Sequence, residues 1–205
     1  SLDSVSRVTG SSLTAAANVT LALPGATTLQ SVSLRATGGG EILFPVATSY
    51  EGSDSADTTV EASGVGSRID LSHLLTFDGG DDRSSGYYRS YVKALAGGEV
   101  DLSGVLSRHN DITVDGAGSV LGVTGITGLG GTVLTVRTPG ALTFDSVTEV
   151  KGSTLTAAAD VTLALPGVTT LQNVSLATTD GGEIRFPGVT TLQNVNLSAT
   201  GGGQL

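Results

Sequence analysis

Cysteine, methionine and tryptophan are all missing from this chain, and the remaining aromatic residues make up only 4% of it. Without cysteine there is no disulfide framework, no thiolate metal site and no thiol nucleophile. No apolar run approaches the ~18 residues of a membrane-spanning helix, and no secretory leader pattern is present. Positive charge is scarce: 10 Lys and Arg stand against 19 Asp and Glu, a formal net charge of −9. That balance repels phosphate backbones and anionic lipid, so neither nucleic acid nor membrane insertion is expected. The chain starts at Ser1 in mid-pattern and reads as a mature product or a piece of something longer.

What is abundant points to one architecture. Gly accounts for 30 of 205 residues, about double its usual share. Val, Leu and Ala supply most of the apolar content, and Val and Thr favour strands. Residues 2–45 align without a gap on residues 144–187, with 32 of the 44 pairs identical. Within the second copy a period of 21 emerges: LPGVTTLQNVSL (Leu165–Leu176) returns as FPGVTTLQNVNL (Phe186–Leu197). The same phase marks nine apolar positions, Leu21, Ile42, Ile69, Val100, Leu121, Leu142, Leu163, Ile184 and Leu205. The residue two further on is also apolar in the first eight, which is the strand signature of two side chains on one face.

One turn holds three such segments, near Thr170–Gln172, Val174–Leu176 and Glu183–Phe186, with Thr, Asp and Gly at the corners. Repeats of this size cannot bury an apolar face singly but do so when stacked. The prediction is an all-β, single-stranded parallel β-helix of about nine coils, one solenoid domain over 1–205. It is right-handed by the rule for parallel crossovers, and roughly 40 Å long at the strand spacing of ~4.8 Å. Leu29, Leu171 and Leu192 should form one interior stack, and Val32, Val174 and Val195 another. An antiparallel sandwich is the rival, but it does not require a constant period.

The pattern GG-E-[IV]-x-[LF]-[PS]-G-V-x-x-[LI], with the phrases IDLSHL (Ile69–Leu74) and VDLSGV (Val100–Val105), resembles the β-helical repeats of very large secreted or surface-attached bacterial proteins of haemagglutinin and adhesin type. The resemblance covers nearly the whole chain. It implies an extracellular or cell-surface setting and a structural or adhesive role, and it brings no catalytic motif.

Two turns are longer than 21. The extra residues are expected as loops near 49–59 and 78–93, and insertions in a solenoid map to loops on one face. All four tyrosines fall in these stretches. The candidate ligand-binding set is Tyr50, Asp81, Asp82, Tyr87, Tyr88, Arg89 and Tyr91. Tyr offers a flat face for sugar rings and a hydroxyl; Arg and Asp engage sugar hydroxyls or carboxylates. The alternative is that the tyrosines fold back and anchor the loops.

No catalytic constellation emerges. Phase places Glu41, Arg68 and Glu99 in one column, and Leu43, Asp70 and Asp101 in the next. Asp70 over Asp101 would raise one carboxyl or invite Ca²⁺; the favoured alternative is that both point into solvent, with Arg68 nearby. His73 and His109 fall in different phases, without the partners of a triad. DGAGSVLG (Asp115–Gly122) and GITGLGG (Gly125–Gly131) lack the ending of a phosphate loop, and corner glycines at positive φ explain them better. DGGDD (Asp78–Asp82) has Ca²⁺-type ligands without a known spacing. No cofactor is expected. Outward Thr pairs are interrupted at Glu149, which disfavours an ice-binding array. The triplets at Asn18, Asn173 and Asn196 match the glycosylation pattern by chance. The first and last coils show no capping helix, so further coils or other copies should pair with the ends. The leading function is therefore a structural or adhesive stalk. A carbohydrate-binding module comes second and a polysaccharide-cleaving enzyme using Asp70 and Asp101 third.

Overall fold

The computed structural model describes residues 2–80 and 88–205. Every β-pairing between its strands is parallel, and no helix occurs among the described residues. The strands form nine coils, with a first face running from Arg7–Thr9 to Thr191–Gln193 and a second from Ser12–Ala16 to Asn196–Ala199. A third face begins at Thr20–Ala22. We number the coils by residues 7–22, 28–43, 49–71, 76–102, 105–122, 128–143, 149–164, 170–185 and 191–205. The expected β-solenoid is what forms, because each residue 21 later sits on its predecessor: Leu13 pairs with Leu34, Leu171 with Leu192, and Leu163 with Ile184.

Alternation does the folding. In Thr58–Ser63 and Asn110–Asp115 every second residue is buried. The inward set joins one continuous core that includes Val8, Leu29, Val32, Val174 and Ile184. Leu29 and Leu171 lie inside as expected, whereas Leu192 is 55% exposed because coil 9 has no coil over it.

Two corners require left-handed backbone. Between the second and third faces, Asn18, Gly39, Gly66, Gly97, Gly118, Asp160, Gly181 and Gly202 all hold φ between 60° and 92°. Coil 6 places Pro139 there, and the proline ring locks φ near −65°. The third-face ladder breaks at that point. The strands Gly140–Thr143, Val161–Ala164 and Glu183–Arg185 form a separate three-stranded sheet. Leu121 and Leu142, expected to stack, instead line a cavity of about 160 Å³.

The spacing of 21 from Val100 to Leu121 conceals compensating changes. The strand Glu99–Ser107 runs through its corner with register shifts between Asp101 and Ser103 and between Gly104 and Val105. That corner is two residues shorter than its equivalents, and the next two corners are each one longer. The true insertions occupy a single corner, between Glu51 and Thr58 and between Asp78 and Ser90. Adjacent coils thus carry both on the same edge of the rod.

Candidate functional site

The expected tyrosine patch divides on inspection. Tyr50 is 1% exposed and belongs to the strand Ser49–Glu51, not to a loop. It takes the inward place held by Leu29 one coil earlier and stacks on Phe77, with ring centroids 4.3 Å apart. Its hydroxyl donates to the Val32 carbonyl at 2.7 Å and lies 3.0 Å from Thr58 Oγ1. Thr58 Oγ1 lies 2.7 Å from Ser90 Oγ, which donates to the Gly79 carbonyl. Burial pushes the Tyr50 hydroxyl up, partly offset by the bonds to Thr58 and Ser90. Tyr50 therefore anchors the bases of both insertions and is withdrawn from the outward ligand-binding set. The reason is physical: its hydroxyl satisfies buried acceptors that would otherwise be costly.

Of the others, Tyr88, Arg89 and Tyr91 are half-buried. The Arg89 amide donates to Asp57 Oδ1 at 2.9 Å, which ties the second insertion to the first. Tyr91 sits in the strand Ser90–Leu95 with Lys93 Nζ 5.4 Å from its ring centroid, a cation–π arrangement. Asp81, Asp82 and Tyr87 lie outside the described residues.

The carboxylate pair is placed as the phase implied. Asp101 lies over Asp70, and Arg68 pairs with Glu41 on one side and Glu99 on the other. The guanidinium settles the charges: Arg68 Nε donates to Asp101 Oδ2 at 3.0 Å and Nη2 to Asp70 Oδ2 at 3.1 Å. Burial pushes Asp70 up, but bonds from the Ser72 hydroxyl and amide, with Arg68 beside it, outweigh this and hold it below the ordinary carboxyl value. Burial likewise lowers Arg68, but its bond to Asp101 and the three surrounding acids raise it overall. No raised carboxyl is found at Asp70, because a cation stands between the acids. Among the described residues no three acidic or histidine side chains converge as metal ligands would.

Ser72 Oγ donates to Asp70 Oδ1 at 2.6 Å and lies 3.3 Å from His73 Nδ1. The serine thus stands between acid and histidine. A triad needs the histidine in the middle to take the nucleophile's proton, so these three do not form one.

The glycines of GITGLGG are not all corner residues. Gly128 and Gly130 lie within the strand Val120–Gly130, and only Gly131 takes positive φ. Bare of side chains, they floor a cavity of about 440 Å³ between Arg108 and Lys151. Sequence reasoning missed this hollow, although Gly128 and Gly130 replace the Thr and Gln of coils 2, 8 and 9 in the 21-residue phase.

Residue ladders cover the remaining outward columns. Gln172 donates to Gln193 at 2.9 Å, Asn194 to Asn173 at 3.0 Å, and Arg7 to Gln30 at 2.7 Å. Cross-strand pairs like these contribute roughly 0.2–1 kcal/mol each. Among the described residues no helix is long and apolar enough to cross a membrane. No family model, curated protein or solved structure matches the chain.

Proposed function

We propose that this chain is a structural module of an extracellular or cell-surface stalk, a rigid β-solenoid rod that joins end to end with a further copy of itself. One observation carries the reading. The sequence of coil 1 recurs as coil 7, and coil 7 is already stacked on a preceding coil, with Val150 on Leu129 and Leu155 on Leu134. Coil 9 repeats coil 8, and coil 8 already bears a coil on its far side. Each end of the rod thus has an internal example of how it is covered.

The end of coil 9 fits that occupant. Leu192, Leu197 and Leu205 are about half exposed, at 55%, 55% and 47%. With Phe186 and Val189 they line an open apolar hollow of about 240 Å³. The strands Thr191–Gln193 and Asn196–Ala199 each end their sheet, so one edge of each has no strand partner. A second copy would set Val8 over Leu192, Leu13 over Leu197 and Leu21 over Leu205, in the register used throughout. Exposed parallel edges of this kind are templates for pairing. Surface location and adhesion follow the resemblance to haemagglutinin and adhesin repeats.

Sedimentation velocity across a range of concentrations tests the joining. The expected result is a series of growing species for the parent and a single monomer for Leu192→Asp/Leu197→Asp. Since both leucines lie in the outermost coil, the variant keeps the rest of the rod. A parent that stays monomeric throughout sinks the reading.

A further inference from the structure

The corner that carries both insertions also encloses a trench. Its floor comes from coils 1 and 2, where Gly10 and Ser31 turn the chain at positive φ. Ser12 and Ser33 stand beside them on paired strands. Its wall is the first insertion, residues 52–57. The cleft measures about 590 Å³ and takes in Ser12, Ser31, Ser55 and Asp57. A second hollow of about 260 Å³ shares Gln30 and Ser31 with it and continues past Glu51 and Asp54 to Arg108. Together they run along the rod from coil 1 to coil 5, roughly 20 Å at the strand spacing.

The wall is tied at both ends, the first by the Gly52 amide donating to the Asp78 carbonyl at 2.8 Å. Asp57 accepts from the Arg89 amide at 2.9 Å. The Thr59 amide donates to Ser33 Oγ at 3.2 Å, and the Ser55 amide to Ser53 Oγ at 3.2 Å. Thr58, next to Asp57, is held in the buried network with Tyr50 and Ser90. A trench built this way is formed before any ligand arrives, which lowers the ordering cost of binding. Coils 7 to 9 carry no insertion at this corner, and Asn173 and Asn194 cover it with their amide ladder.

Its chemistry selects a class. Serine hydroxyls both donate and accept, while carboxylates only accept. The cation at the far end, Arg108, is ion-paired with Asp78 at 2.9 Å through Nε. Glu51, Asp54 and Asp57 repel an anionic ligand. They accept well from hydroxyl groups, since bonds to an ionised acceptor are the stronger kind. We propose that the trench binds a neutral saccharide chain lying along the rod axis, its hydroxyls donating to the carboxylates and exchanging bonds with the serines. The site differs from the tyrosine patch, and it does not depend on end-to-end joining.

The experiment is calorimetric titration of the whole chain with three sets of oligosaccharides: neutral hexoses, N-acetylhexosamines and uronates. Three proteins are compared: the parent, Ser12→Leu in the trench, and Asn196→Leu, the same outward column in coil 9. Both substitutions are at exposed strand positions, which leaves the core untouched. Binding of a neutral or N-acetylated set is expected, with affinity reduced roughly tenfold or more by Ser12→Leu and unchanged by Asn196→Leu. Three results overturn the proposal: no binding at millimolar sugar, uronates binding as well as neutral chains, or equal loss in the two variants.

Discussion

Residues 2–45 and 144–187 spell nearly the same text twice, and they fold into the same turns with different exteriors. The inward differences are few: Ala26 against Val168 and Ala36 against Thr178, while the exposed Leu2 stands against the buried Phe144. At the corners Asn18, Ser31 and Gly38 become Asp160, Asn173 and Asp180, all at positive φ. The outward columns change more freely. Arg7 becomes Glu149, Thr9 becomes Lys151, Arg35 becomes Ala177 and Leu43 becomes Arg185. Arg35 pairs with Glu61 at 3.0 Å in one copy, whereas Arg185 pairs with Glu183 of its own strand at 2.7 Å in the other. The interior must match the coil above and the coil below, so it tolerates little. The exterior answers only to solvent and to whatever it meets.

That contrast is broken most directly in the interior. Phe77→Ala empties a column position occupied by leucine or valine in the regular coils and unstacks Tyr50. A loss of about 3–5 kcal/mol is expected, read by denaturant unfolding. A cost within the range of surface substitutions, about 0.5 kcal/mol, would mean that the column does not carry stability.

A smaller effect is expected outside. Arg68→Ala leaves Asp70 facing Asp101 without a cation, which should cost about 1–2 kcal/mol near neutral pH after allowance for solvent screening. The pH dependence has a definite sign. Folding lowers the Asp70 carboxyl below its ordinary 3.8, so its contribution is present above that value and is lost as pH falls through the depressed one. Acid unfolding of the parent and of Asp70→Asn should therefore differ at neutral pH and converge once the pH falls below the depressed carboxyl value. A constant difference across the range would show that the carboxylate charge is not involved.

The smallest expected change sharpens the comparison between copies. Thr178 is fully buried and its hydroxyl has no partner, while the first copy has Ala36 in its place. Thr178→Ala should stabilise by about 1 kcal/mol. The reciprocal Ala36→Thr should destabilise by a similar amount, and melting of the two variants in opposite directions is the readout. Movement in the same direction would refute the assignment of that hydroxyl as unsatisfied.

The coil, its period and the inward columns were legible in the sequence because each rests on short-range geometry. Strand alternation has period 2, the turn repeats every 21, and Gly, Asn or Asp marks most left-handed corners. Phase alone placed Arg68 between Glu41 and Glu99, and Asp70 over Asp101. Tyr50 stands in the regular phase, 21 residues after Leu29, but the insertion that follows Glu51 drew it into the loop reading, so its inward place was overlooked. The corner at Asp101–Val105 escaped notice because a shortening and two lengthenings cancel. Pro139 was visible as a residue, but its consequence depends on the φ of the eight other corners in its column.

By itself the sequence determined an all-β rod of stacked coils, since periodic burial and left-handed corners admit few other packings of these residues. Only the tertiary structure decided what the exterior presents. Two insertions distant in sequence share one corner, a buried hydroxyl network holds their bases, and a polar trench opens beneath them. Those features arise where separate coils meet, and no spacing within one coil encodes them.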